Sequence, residues 1–487
     1  VRVSLLLGGA LLSLFAINAR WDVALAAWLA NVLLLRFTRR SRWWVAFLWM
    51  WLVMALDVAV WLWHADLTSP VFLAIAVALG LAGTLPFLAD RLLTARLGTL
   101  LGTLVFPLAK VSVEVGVSTL SPVGGIYGVL GTTQHEALPL AQLASVTGVY
   151  GVSFVVAWFG SVAVACWEKR PRLRTTVTTY AGVLAVVLAA GGIRLVAAVP
   201  DGKTVRVAGV APAPSAWQRT LDGIAPFESV EDMNRADPAA MRAAFEPVVE
   251  DLLARSAREA DAGARLVAWP ESAVVTLERD EQALLARFRE FAARHRIHLS
   301  AGITVYTGTA PWVRNETVLI GPDGTLLWTY LKAHPIPVLE PYEAGDGVVP
   351  TVDTPFGRLS AVICFDANFP GLLRQGGSRN VDIMMVPSND WRGIKELNAH
   401  SARFRAIENG FTMLRPTMEG MSEVVDPLGR VLASTDYFRG GEDPAVVAYV
   451  PSHGTRTIYA TVGDLFAWLC LAALAGLTVT AAVTRRS

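Results

Sequence analysis

The sequence predicts a bundle of about eight membrane-spanning helices with a soluble α/β domain inserted before the last of them. Three observations carry this. Of 487 residues, 53% are hydrophobic and 17% charged, with a mean hydropathy of +0.45, too apolar for an ordinary soluble enzyme of this length. The long apolar stretches are confined to residues 3–199 and 463–483. Between them, roughly 203–452, β-rich runs alternate with amphipathic helical patterns, as in a layered α/β fold.

Spans are expected near 3–18, 21–35, 43–63, 71–89, 97–117, 143–167, 177–199 and 463–483. A span needs about 20 residues, so 21–35 is short for one. The 16 Trp residues fit, because Trp collects at membrane interfaces. Basic residues fall in alternate loops: Arg36, Arg39, Arg40 and Arg42, then Arg91 and Arg96, then Lys169, Arg170, Arg172 and Arg174. The positive-inside rule puts these loops in the cytoplasm, together with Arg2, Arg485 and Arg486, and the middle domain outside. The first span is expected to be retained, since no small-residue cleavage site follows it and another span comes directly after. The expected domains are a helix bundle over 1–200, an extracytoplasmic domain over 203–452 and a last helix over 463–487. Lys110 and Glu114 either pair across one helical turn at the membrane edge or line a lipid headgroup site; the pairing is favoured.

In the middle domain, the runs at 204–212, 264–272, 297–306, 316–324, 359–366, 381–390 and 411–420 read as strands ending in loops, and 239–261 and 280–296 as helices. "GPDGTLLWTY" (321–330) reads as a hairpin turned by Pro-Asp-Gly. A formal net charge of +1, with no basic stripe interleaved with aromatics, gives no case for nucleic-acid binding. Of the three cysteines, Cys166 and Cys470 lie in long apolar stretches, so no disulfide framework or metal cluster is readable and no cofactor is expected.

Cys364 stands apart, at the end of the strand "LSAVICFD". A thiol becomes a nucleophile when a neighbour takes its proton or holds the thiolate. Two other strand ends offer such neighbours: "VAWPES" brings Glu271, and "TYLKAHPIPVLEPYE" brings Lys332, His334, Glu340 and Glu343. Taken singly, each has a plainer reading: Cys364 as inert core, Glu271 as a solvated turn residue, Lys332 as a surface lysine. His334, set among prolines, reads as a packing or hydrogen-bonding residue. Arg403, Arg405 and Glu408 read as a structural ion-pair set on one helix face.

Glu271, Lys332 and Cys364, in that order and each ending a β-run, resemble the catalytic triad of the nitrilase or carbon–nitrogen hydrolase superfamily. Glu340 matches that superfamily's second glutamate by its spacing from Lys332, and is taken over Glu343 for that reason. Such a domain between a helix bundle and one last helix resembles the apolipoprotein N-acyltransferase family. "LPLAQLASVTGVYGVSF", "PSNDWRG", "ARFRAIENG", "RPTMEGMSEVVDPLGRV" and "TIYATVGD" extend the likeness over nearly the whole chain. Where that family usually has Tyr-Glu after the nucleophile, this chain has Phe365-Asp366.

The resemblance implies a nitrilase-like α-β-β-α sandwich and a multi-pass protein of the bacterial inner membrane, acting as a monomer. It implies transfer of an acyl chain from a membrane phospholipid through a Cys364 thioester to the N-terminal amine of a diacylated apolipoprotein. Glu271 would be the base and Lys332 an oxyanion holder, helped by the backbone N–H of Phe365. Near Lys332, the thiol is also expected to ionise more readily than a buried thiol without a cation. Glu340 would position Lys332. Trp217, where the family places a functional tryptophan, and Trp391 would guard the mouth of the site. Trp312 is open between that role and packing. Asp366 would attract the incoming ammonium, and Phe365 would keep water from the thioester. A membrane-anchored amidase, an acyltransferase with a different acceptor and a transporter with a sensor domain are the alternatives. A hydrolase needs only one anchor helix, and a transporter predicts central charges that the spans mostly lack.

Overall fold

The structure, a computed structural model, describes residues 1–121, 125, 128–198 and 203–483. Arg485 and Arg486, the end of the span expected at 177–199 and the boundary near residue 200 lie outside the described residues. The chain separates into two compact units, Val1–Val199 with Thr457–Ser487, and Pro200–Arg456.

In the first unit, six of the described helices are long and apolar enough to cross a membrane: Trp43–His64, Pro70–Arg96, Thr99–Leu120, Val149–Trp167, Leu173–Ala197 and Leu465–Val483. Two expected spans differ. The helix expected over 3–18 is Arg2–Ser13, only 12 residues, about 18 Å of a hydrocarbon core of about 30 Å. The span expected at 21–35 is the 17-residue helix Ala24–Arg40, so Arg36, Arg39 and Arg40 are helical where a loop was expected. The apolar run expected to be continuous over 143–167 breaks at Gly148, whose φ is +67°. A β-carbon there would come within 2.7 Å of the Tyr459 ring, so the break admits only glycine easily.

The basic segments converge at one end of this unit. Arg39 forms a two-pronged bridge to Asp90 at 2.7 Å for each bond. Glu168 accepts from Arg36, Arg39 and Arg170. Arg91 donates to the carbonyls of Thr38 and Arg39, and Arg170 to that of Thr94. Lys110 pairs with Glu114 at 3.3 Å, the favoured alternative, midway along the helix Thr99–Leu120.

The second unit holds fifteen strands: β1 Thr204–Val210, β2 Leu266–Ala268, β3 Val274–Leu277, β4 His298–Tyr306, β5 Val313–Ile320, β6 Leu326–Leu331, β7 Thr351–Thr354, β8 Gly357–Ala361, β9 Ile383–Met385, β10 Ser388–Asn389, β11 Thr412–Arg415, β12 Thr417–Met418, β13 Met421–Val425, β14 Val431–Asp436 and β15 Ala445–Pro451. One sheet runs β15-β1-β2-β4-β5-β6 with β3 beside β4, a second β14-β13-β11-β9-β8-β7, and β10 pairs with β12. Alternation along each strand sends side chains to two faces. Val207, Leu266 and Leu319 of the first sheet pack against Leu359, Ile383 and Leu414 of the second. On the outer faces, Ala208 and Leu299 meet Leu252 and Phe288 of the helices Pro238–Asp261 and Glu281–His295. Met384 and Met413 meet Leu373 and Ala406 of the helices Pro370–Ser378 and Lys395–Asn409. β5 and β6 form the expected hairpin, with Gly321 N–H donating to the Thr325 carbonyl at 2.8 Å. Arg405 and Glu408 pair within one buried helix face at 2.7 Å, while Arg403 reaches instead to Glu423 on β13 at 2.6 Å.

Gly410 ends the helix Lys395–Asn409 in the left-handed region, φ +73°, and a β-carbon there would lie 1.9 Å from the Thr455 carbonyl. Gly410→Val should therefore destabilise this unit by about 2–3 kcal/mol. A thermal midpoint of the detergent-purified full chain within error of the parent would contradict this reading of the cap.

Candidate active site

Glu271, Lys332 and Cys364 each sit just past a strand end, and backbone bonds to neighbouring segments hold Lys332 and Cys364 there. Glu271 lies beyond β2, in a turn anchored by Trp269. That side chain is fully buried, stands edge-on to Phe288 and donates from Nε1 to Ser256 at 2.8 Å. Gly302 on β4 runs beneath the turn; a β-carbon there would be 2.0 Å from the Pro270 carbonyl oxygen and 3.0 Å from Glu271 Cα. Lys332 follows β6, its N–H on the Asn315 carbonyl at 3.0 Å and its carbonyl accepting from Gly345 N–H at 2.9 Å. Cys364 follows β8, its N–H on the Pro387 carbonyl at 2.9 Å. Its φ of +46° puts a non-glycine residue in the left-handed region, a strain typical of functional turns.

The side chains form one chain of contacts. The Lys332 ammonium, wholly buried, donates to Glu271 Oε1 at 2.8 Å and to the Glu340 carboxylate at 2.7 Å. Asn315 Nδ2 donates to the same Glu271 oxygen at 2.7 Å, and the Asn389 N–H to the other, Oε2, at 2.9 Å. The Asn389 carbonyl faces the Cys364 thiol, with Sγ and O 3.8 Å apart. Asn315 and Asn389 were not among the expected site residues. Asn389 lay within the quoted "PSNDWRG", but its part is played by its backbone, which side-chain identity does not signal.

Lys332 acts on the thiol in the expected sense, favouring its ionisation, within a site that otherwise opposes it. Burial pushes the Cys364 thiol well above its usual pKa, and the Glu271 carboxylate pushes the same way; Lys332 pulls it back only in part. The resting group is a thiol, and ionisation needs a base. Burial opposes the charge on Lys332, but Glu271 and Glu340, with Cys364 whenever it is the thiolate, outweigh it and hold the ammonium well above its ordinary range. Burial raises Glu340 despite Lys332.

Asp366 takes a different place from the one expected. It is wholly buried, and its carboxylate accepts from the Tyr330 hydroxyl, the N–H groups of Ile363, Ala333 and His334, and His334 Nδ1, at 2.8–3.3 Å. Those bonds occupy the carboxylate within the fold and tie the loop after Lys332 to the turn at Cys364. His334 stacks on Phe369 with centroids 3.7 Å apart. Phe365 is buried, edge-on to Phe369. Glu343 is exposed, Trp391 half-buried beside Asp390, and Trp312 exposed. Trp217, half-buried on the helix Pro214–Ile224, packs against the core clusters around Trp269 and Phe245.

Gly302→Ala should displace the Glu271 turn. Turnover should fall about a hundredfold, the usual result of a displacement of about 1 Å, with Cys364 still in place for alkylation. Normal turnover would show that the Glu271 turn tolerates a side chain beneath it.

Residues 236–457 match the carbon-nitrogen hydrolase family, and residues 8–162 match the apolipoprotein N-acyltransferase N-terminal domain. The apolipoprotein N-acyltransferase of Geobacter metallireducens is 27% identical over 421 residues, 78% of this chain and 74% of its own. That of Bradyrhizobium diazoefficiens is 29% identical over 470 residues, 88% of this chain and 81% of its own. A formamidase of Allorhizobium ampelinum is 31% identical over 197 residues, covering only 37% of this chain and 56% of its own. The hydrolase relative thus shares one region, whereas the acyltransferases match most of the chain, and the two family models together support the apolipoprotein N-acyltransferase family.

Proposed function

We propose that this chain is an apolipoprotein N-acyltransferase in which Cys364 is the nucleophile, Glu271 the base and Lys332 the oxyanion holder. The observation that carries the assignment is the buried Lys332 ammonium held between Glu271 and Glu340, with Glu271 joined through Asn389 to the thiol. Glu271 takes the thiol proton, and the thiolate attacks an ester carbonyl of a membrane phospholipid. Lys332 and the backbone N–H of Phe365 stabilise the oxyanion; one such donor is worth about a hundred- to a thousandfold in rate. The C–O bond breaks, Glu271 returns the proton to the departing lysophospholipid, and the acyl group stays as a thioester. The α-amine of a diacylglyceryl-cysteine then attacks, Glu271 removes its proton, the C–S bond breaks to give an amide, and Glu271 passes the proton to the departing sulfur to restore the free thiol. Glu340 keeps Lys332 in place throughout. Trp217, Phe365 and Trp391 line the approach.

A membrane bundle suits these substrates, since taking acyl chains out of a bilayer costs about 0.8 kcal/mol per CH₂. In the proposed topology the shorter helices Arg2–Ser13 and Ala24–Arg40 bring the membrane segments to eight. The converging basic segments lie in the cytoplasm, and a nitrilase-like α-β-β-α domain, 203–452, lies outside the bacterial inner membrane.

Incubated with phospholipid alone, the protein should carry one hydroxylamine-labile acyl group on Cys364, and Cys364→Ser none. The acyl-enzyme should decay slowly in buffer and rapidly with a diacylated lipopeptide bearing a free N-terminus, but not with its N-acetylated form. Fast fatty-acid release indifferent to lipopeptide would make the protein a hydrolase. Reporter fusions near Arg172 should read cytoplasm and one near Gly223 the outside; the reverse at Gly223 would invert the topology.

A further inference from the structure

Asp390 and Arg415 form a buried pair that no step above uses, each 3% exposed. Arg415 Nη2 donates to both Asp390 oxygens at 3.0 Å, and Asn398 Nδ2 donates to Oδ1 at 2.7 Å. Arg415 Nη1 donates to Thr417 Oγ1 and to the Met421 carbonyl, each at 3.0 Å. Gly420 makes room for this carboxylate, since a β-carbon there would come within 2.6 Å of Asp390 Oδ2. A buried ion pair is weak evidence for stability, because apolar residues of similar volume often serve as well. Its place in the fold suggests another use.

Asn389 directly precedes Asp390. The strand is pinned by Ser388 N–H on the Pro416 carbonyl and Asp390 N–H on the Met418 carbonyl, each 3.0 Å. Between those bonds the backbone of Asn389 touches both reacting groups: its N–H holds Glu271 Oε2, and its carbonyl faces the Cys364 thiol. The Asp390 side chain branches from the peptide that carries that carbonyl. Tilting this segment would shift base and nucleophile together.

We propose that Asp390 and Arg415 are positioning residues for acyl transfer, holding the Asn389 backbone so that Glu271 and the Cys364 thiol stay aligned. The inference rests on the assignment of Cys364 as nucleophile and Glu271 as base. Both also act on the thiol, in opposite senses: Asp390 raises its pKa and Arg415 lowers it. Removing one charge therefore leaves a signature that loosened packing does not.

The test uses the full chain in detergent, with Asp390→Asn and Arg415→Lys. Two readouts are taken: kcat and KM for phospholipid in transfer to a diacylated lipopeptide, and the pH profile of Cys364 alkylation by iodoacetamide, followed on its own peptide. Both variants should lose about a hundredfold in kcat with KM nearly unchanged. Asp390→Asn should move the alkylation profile to lower pH, because a carboxylate that raises the thiol is gone while the guanidinium stays. Arg415→Lys keeps the charge and should leave the profile in place. Unchanged kcat in both variants, KM rising in step with the loss, or an unshifted profile in Asp390→Asn would overturn the proposal. If Asp390→Asn fails to fold, the kcat and KM of Arg415→Lys decide. Normal turnover by Cys364→Ser would remove the nucleophile assignment instead; an inactive Cys364→Ser beside active Asp390→Asn and Arg415→Lys would remove only the positioning role.

Discussion

A lysine ammonium with no exposed surface is costly to bury, several kcal/mol if left alone, and much of the second unit is arranged around the one at Lys332. Glu271 arrives from the first sheet's interior strands, and Glu340 from the segment after β6. To reach the ammonium, that segment folds back on itself, with the Ile336 N–H on Glu340 Oε2 and the Gly345 N–H on the Lys332 carbonyl. Asp366 fastens the start of the same segment to the turn at Cys364, on the second sheet. Glu271, Lys332 and Cys364 thus come from both sheets, and one buried charge requires the first two to meet.

The same charge arrangement explains why a thiol, and not a thiolate, is the resting group. Two carboxylates already share the ammonium, so little of its field is left for the sulfur, which burial penalises further when charged. Moving a proton from Sγ to Glu271 leaves the total charge of the cluster unchanged and shifts negative charge towards sulfur. A buried neutral thiol is also a poor target for oxidants, which attack the thiolate.

The strand ends were legible because burial on one face and a polar residue past the end leave a pattern: Glu271, Lys332 and Cys364 each follow such a run. What escaped notice acts across long separations or through the backbone. Asn315 reaches Glu271 from 44 residues away because β4 pairs with β5. Arg415 reaches Asp390 across 25 residues because β10 and β12 run side by side. Asp366 was visible as a residue, but its bonding depends on the loop that it captures. In the membrane part, hydropathy located most of the apolar segments but not their ends, since a continuous apolar run over 143–167 hides the break at Gly148, and arginines at a helix end look like a loop.

The arginine-rich end of the bundle bears on how the chain is made. Arg39 is translated 51 residues before its partner Asp90, and Arg36 132 residues before Glu168. Glu168, just behind Val149–Trp167, cannot take up Arg36 and Arg39 before it has itself been made, so the ion pairs at the end of Ala24–Arg40 are completed only once the chain has reached residue 168.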